Sequence, residues 1–115
     1  MKVIVCGGRD YQDYDRVIRC LDRLHEKHGV TLIIEGGARG ADALAGAWAD
    51  SVGIPHCTFH ANWKIYGRKA GPMRNMNMIE FLQPDCVVAF PGGDGTTDMA
   101  CQAEAAGVNV WRIKG

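Results

Sequence analysis

Short apolar runs alternate along the chain with longer segments in which apolar residues recur every three or four positions. Runs rich in β-branched residues predict strands over residues 1–6, 31–34, 56–60, 86–90 and 108–113. The helical spacing predicts helices over residues 13–29, 41–52, 72–82 and 96–106. Strands joined by such helices form right-handed βαβ units. We therefore expect an α/β, Rossmann-like, three-layer open parallel sheet of about five strands with helices on both faces.

Glycine-rich turns follow three of the predicted strands, at residues 7–10, 35–42 and 91–98. The carboxyl ends of parallel strands share one edge of the sheet, and ligands of such sheets bind there. Glycine lets a ligand approach the backbone, and the helix that follows offers unpaired N–H groups to an anion. The turns therefore predict a phosphate site. The expected contact residues are Gly7, Gly8, Arg9, Gly36, Gly37, Arg39, Gly40, Asp42, Arg74, Asn75, Pro91, Gly92, Gly93, Gly95, Thr96 and Thr97.

Basic and aromatic side chains near this edge add candidate contacts. Arginine suits phosphate because its guanidinium presents a planar fork of donors, and we favour Arg39 and Arg74 for that role over the other basic residues of the turns and loops. Residues 61–71 show no periodicity and are interpreted as a functional loop. Trp63 and Tyr66 in this loop either stack on a base or pack the loop onto the domain. The pattern favours neither role.

Composition limits the classes of function. Thirteen basic and thirteen acidic residues give zero net charge, which disfavours a nucleic-acid partner bound through bulk electrostatics. No apolar run approaches the roughly 20 residues that span a membrane. Five widely spaced cysteines without a CxxC pair fit a reducing, cytoplasmic compartment, and most are expected to be buried apolar residues. We expect one domain over residues 1–115, with neither a metal site nor a bound cofactor.

Four segments together resemble the YspA-type, YpsA-related branch of the SLOG superfamily. They are Val5 to Tyr11, Gly36 to Asp42, Tyr66 to Asn75 and Phe90 to Thr96. The resemblance covers nearly the whole chain and implies a Rossmann-like fold with a nucleotide or nucleotide-derived ligand at the glycine turns. The same superfamily includes the DNA-uptake protein DprA and the LOG enzymes.

The LOG enzymes are similar in their PGGxGTxxE motif and hydrolyse the N-glycosidic bond of nucleoside monophosphates. Residues 91–96 match PGGxGT, but Met99 stands where the motif has glutamate, and Asp98 lies one residue earlier. One residue along a helix is a rotation of about 100°. Asp98 is the candidate catalytic residue, on condition that its side chain faces the ligand.

Three hypotheses follow. In the first, the chain is a sensor or processing module that binds a nucleotide-like small molecule through its glycine turns, with Asn75 or Asp42 contacting the ribose or base. In the second, it is an N-glycosidic bond hydrolase in which Asp98, Asp94 or Glu35 stabilises the reacting sugar or activates water. In the third, similar to DprA, it binds single-stranded nucleic acid. A homodimer is compatible with all three.

Overall fold

The computed structural model describes residues 1–114, which form a five-stranded parallel sheet covered by helices. The strands are β1 (Lys2–Cys6), β2 (Leu32–Glu35), β3 (His56–Thr58), β4 (Cys86–Ala89) and β5 (Asn109–Arg112). The helices are α1 (Tyr14–His28), α2 (Ala41–Val52), α3 (Trp63–Tyr66), α4 (Ala70–Leu82) and α5 (Asp94–Ala105), with a 3₁₀ turn at Gly67–Lys69. The α/β Rossmann-like fold is confirmed.

The strand order is β3-β2-β1-β4-β5, so the chain moves outward from β1 in one direction and then crosses to its other side. Val3 pairs with Ile33 of β2 and with Cys86 of β4. The order therefore reverses between β1 and β4. In open parallel sheets, the crevice beyond the carboxyl ends of two such strands is where ligands bind.

The sheet separates two apolar cores, because successive side chains of a buried strand point to opposite faces. On one face Val3, Val5 and Ile33 pack with Leu21 of α1 and Trp48 of α2. On the other, Ile4, Ile34 and Val87 pack with Met78 of α4 and Met99 of α5. Three of the covering helices, α1, α2 and α5, each follow one of the glycine turns, so all three turns lie at the same edge of the sheet.

Helix caps explain where the main helices begin and end. The Asp13 carboxylate accepts a hydrogen bond from the Arg16 N–H, and Gly29 ends α1 with a φ of 70°. Gly53 ends α2 in the same left-handed conformation. These ends agree with the sequence pattern. No helix within residues 1–114 is both long and apolar enough to cross a membrane.

The prediction of an irregular loop over residues 61–71 was wrong, because most of that segment is helical. The Asn62 side chain caps α3 by accepting from the Ile65 N–H, and α4 begins at Ala70 rather than Pro72. Proline is tolerated there because the first N–H groups of a helix have no partner within it.

Two smaller expectations also differ from the structure. Helix α5 begins at Asp94, two residues earlier than predicted, so Thr96 lies within its first turn. The expectation that most cysteines are buried was wrong, because Cys86 is buried but Cys101 is exposed on α5 and the other three are half-buried. The apolar pattern around Cys101 therefore did not identify which face of α5 this residue occupies.

Candidate functional site

A cleft of about 1390 Å³ opens at the carboxyl edge of the sheet, where the strand order reverses. The loops after β1, β2 and β4 all line it, together with the first turn of α5 and part of α4. Of the residues predicted to contact a ligand, Gly40 and Thr97 do not line the cleft, and the rest do. Asp98 lines it too. The structure thus brings the three glycine turns and the candidate acid to one cavity.

Several glycines are required by the packing of the turns against one another. The Gly8 N–H donates to the Pro91 carbonyl over 2.8 Å, which joins the loop after β1 to the loop after β4. A Cβ on Gly92 would lie 2.7 Å from the Gly8 nitrogen, and one on Gly7 would lie 2.6 Å from the Ala41 Cβ. Gly40, at a φ of 80°, lies against the Gly8 carbonyl. Gly7, Gly40 and Gly92 thus have structural roles whether or not a ligand binds.

Gly93 and Gly95 differ from that group. A Cβ at either position would meet no atom of residues 1–114 within 4 Å, and neither residue has a positive φ. Glycine in a helix is less favourable than alanine by about 1 kcal/mol, and Gly95 lies in the first turn of α5. Both line the cleft. Nothing in the packing around these positions calls for glycine.

Asp42 and Glu35 form a buried acidic pair beneath the turn after β2. Asp42 Oδ2 accepts from the N–H groups of Gly36 and Ala38, both over 3.2 Å. Glu35 accepts from the Gly37 N–H over 2.8 Å and from the Thr58 hydroxyl over 3.1 Å. Burial raises the pKa of Asp42 to about 6, the charge of Glu35 acts in the same direction, and the hydrogen bond from Ala38 opposes the shift. These two carboxylates hold the shape of the turn.

Arg74 and Asn75 connect α4 to the neighbouring turns. Arg74 Nη1 donates to the Gly36 carbonyl over 2.9 Å, and Arg74 Nε donates to Asn75 Oδ1 over the same distance. Asn75 Nδ2 donates in turn to the Gly95 carbonyl over 3.3 Å and to Asp98 Oδ2 over 2.9 Å. The guanidinium expected to bind phosphate is therefore already bonded to protein atoms through two of its nitrogens.

Asp98 is held by two amides. Gln102 Nε2 donates to Asp98 Oδ2 over 2.8 Å, beside the bond from Asn75. Both bonds use one carboxylate oxygen, and the half-buried side chain lies at the cleft. Met99, in the place of the LOG glutamate, is only 1% exposed and packs in the core. The one-residue offset therefore brings a half-exposed acid to the cleft and buries a methionine in its wall.

The rim of the cleft carries exposed cations. Arg39 pairs with Asp10 at 3.3 Å, but the two side chains are 78% and 93% exposed, so the pair contributes little stability. Arg9 and Arg68 also line the cleft and are exposed. The Thr97 hydroxyl, by contrast, donates to the Gly93 carbonyl, back into its own helix.

Gln102 is not among the residues predicted from the sequence, although its spacing from Asp98 could have identified it. Asp98 and Gln102 are four residues apart in a predicted helix, a spacing that places side chains next to each other. Glu35 was considered only as an alternative acid, and its hydrogen bond to Thr58 depends on the pairing of β2 with β3. Such a contact between neighbouring strands has no local signature in the sequence.

Comparisons with known proteins give the family. The Gene 61 protein of Mycobacterium phage D29 is 33% identical over 117 residues, covering 95% of this chain and 93% of that protein. The structure of DNA processing protein A (DprA) from Streptococcus pneumoniae superposes with a TM-score of 0.52 at 18% identity and 95% coverage of this chain. This chain spans 57% of that DprA chain, and the likeness shows the fold. The model of the YspA, cpYpsA-related SLOG family matches residues 1–66, so the chain belongs to that family.

Proposed function

We propose that the cleft binds the phosphate of a nucleotide or a nucleotide-derived molecule at the first turn of α5. The observation that carries the proposal is that Gly93 and Gly95 line the cleft without a packing or conformational need for glycine. A Cβ at either position would occupy space that a ligand can use. A ligand that lies against this backbone would therefore explain why both positions lack a side chain.

The electrostatics of the turn support an anion. The first N–H groups of a helix have no partner within it, and the helix dipole places partial positive charge there. Arg9 and Arg68 add exposed positive charge at the rim. Membership of the SLOG family agrees with a nucleotide-like ligand.

Binding of adenosine 5′-monophosphate, with adenosine as the phosphate-free comparison, tests the proposal by calorimetry. The wild-type protein is expected to bind the monophosphate more tightly than the nucleoside. Gly93→Val is expected to abolish the difference while the protein stays folded, because the new side chain points into open space and losing glycine at the N-cap of α5 costs only about 1 kcal/mol. Ala106→Val, at the other end of α5, is the matched control.

A Gly93→Val protein that is folded and binds the monophosphate as well as wild type would refute the site. A single-stranded oligonucleotide belongs in the same assay, because the neighbour with the same fold is a DNA processing protein. Binding of the oligonucleotide without binding of the monophosphate would replace the proposal with the nucleic-acid hypothesis.

A second candidate function is hydrolysis of the N-glycosidic bond, and the orientation of Asp98 favours it. Because both amides bond to Oδ2, the other carboxylate oxygen carries no protein hydrogen bond among those found within residues 1–114. In this reaction the oxygen of water bonds to C1′ of the ribose, and the base leaves with a proton. A carboxylate beside C1′ stabilises the positive charge that develops there.

Chromatography of the four ribonucleoside monophosphates after incubation with the protein tests this second function. Release of free base and ribose 5-phosphate is expected, and Asp98→Asn should remove it while leaving binding of the monophosphate intact. Glu104→Gln, at an exposed acid of the same helix that does not line the cleft, is the control. Equal turnover by wild type and Asp98→Asn would exclude Asp98 as the catalytic group.

A further inference from the structure

Trp63 is a large apolar side chain that the fold leaves half exposed at the rim of the cleft. Its relative exposure is 49%, and it lines the cleft together with Arg68. An indole that served only to pack α3 onto the domain would gain most from full burial, because aromatic rings carry a large hydrophobic area. The exposed half of this ring is therefore available to another flat apolar group.

The position of the ring is fixed by its surroundings. The six-membered ring of Trp63 lies over Gly71 in the first turn of α4, where a Cβ would be 3.1 Å from Cη2. The Asn62 side chain caps the helix that carries Trp63, and the Gly67 N–H bonds to the Trp63 carbonyl. The indole is thus held before any ligand arrives, which lowers the entropy lost when a ligand contacts it.

Helix α4 also links this ring to the proposed phosphate site. Gly71 and Asn75 are four residues apart, which is about 6 Å of helix rise. Asn75 bonds to the Gly95 carbonyl in the first turn of α5. The indole and the glycine pair are therefore linked through one helix and line the same cleft, as the base-binding and phosphate-binding parts of one nucleotide site must.

We propose that Trp63 is the stacking platform for the base of the bound nucleotide, with Gly71 as the residue that positions the indole. This inference rests on the proposed phosphate site, and it assigns the base of the same ligand to Trp63. Arg68, which is exposed and lines the same cleft, offers a second planar group. Stacking of this kind accepts any base, so it selects for a base over none rather than for one base over another.

Ribose 5-phosphate, which lacks the base, separates stacking from phosphate binding. We would measure the affinity of the four ribonucleoside monophosphates and of ribose 5-phosphate by calorimetry. Trp63→Ala is expected to weaken the nucleoside monophosphates by about 5- to 150-fold and to leave ribose 5-phosphate unchanged. Trp63→Phe should keep most of the affinity. Tyr66→Ala is the control, because Tyr66 is in the same helix and 48% exposed but does not line the cleft.

Gly71→Ala provides an independent variant that keeps the indole. The added methyl group would press on the ring, so affinity for the monophosphates should fall while ribose 5-phosphate still binds. If Trp63→Ala binds the monophosphates as Tyr66→Ala does, or if wild type binds ribose 5-phosphate as tightly as any monophosphate, the stacking proposal is overturned and the phosphate site stands. If wild type binds none of these compounds, both proposals fall.

Discussion

Replacing Asp42 with asparagine removes a charge from the buried pair beneath the turn after β2 with little change in shape. Both backbone N–H groups that Asp42 binds donate to the same oxygen, Oδ2. The single carbonyl oxygen of asparagine has two lone pairs and accepts both bonds. The substitution therefore isolates the free energy of ionising a carboxyl group at 6% exposure beside Glu35.

The magnitude follows from the pKa of Asp42. Burial raises it from 3.8 to about 6. Between these values the folded protein holds a proton that the unfolded chain has released, so stability falls as pH rises through this window. Above it the penalty is constant, on the order of 3 kcal/mol. Below about pH 3 the carboxyl group is protonated in both states and the penalty disappears.

Urea unfolding of wild type and Asp42→Asn between pH 4 and pH 8 measures this penalty. Asp42→Asn is expected to gain about 2 to 3 kcal/mol over wild type across that range, with the gain complete by pH 7. Asp10→Asn, at a side chain that is 93% exposed, should show a flat difference. A difference between Asp42→Asn and wild type that does not change with pH would refute the reasoning.

Further expectations concern the thiols and two backbone positions. Ellman's reagent at pH 8 should modify the exposed Cys101 first, since burial raises the pKa of Cys6 to about 12 and that of Cys86 to about 11; peptide mapping checks the order. Gln83 ends α4 at a φ of 47°, so Gln83→Gly should stabilise the protein by about 1 kcal/mol in urea unfolding; destabilisation would contradict this. Gly92→Ala should destabilise the protein by about 1 to 3 kcal/mol in urea unfolding, because the new Cβ would meet backbone atoms of the loop after β1. Unchanged stability would show that the two loops move apart to accommodate the methyl group.

The fold followed from the sequence because its signals are local. Buried parallel strands read as apolar runs, and caps such as Asp13, Gly29 and Gly53 lie within a few residues of the helix ends they define. The error over residues 61–71 has a local cause as well. Helix α3 has four residues and buries none of them, so it leaves no apolar period to detect.

The position of the cleft was predictable, but the contacts within it were not. Strand order puts the glycine turns at one edge, whereas the bond from Arg74 to the Gly36 carbonyl joins residues far apart in sequence. A residue's type says that it can donate hydrogen bonds, and only the folded backbone determines which acceptor is in reach. For the same reason the sequence could not separate Gly92, whose Cβ would clash, from Gly93, whose Cβ would not.

The central place of β1 has a consequence for how the chain folds. It is synthesised before both strands that flank it and pairs with β2 soon afterwards, but its other edge stays open until β4 is made, as the pairing of Val3 with Cys86 shows. Such a distant pairing requires the closing of a long loop and slows folding. Until then an apolar strand edge can pair with other chains. Nascent chains that stop before β4 should therefore be the species most prone to aggregate and most dependent on chaperones.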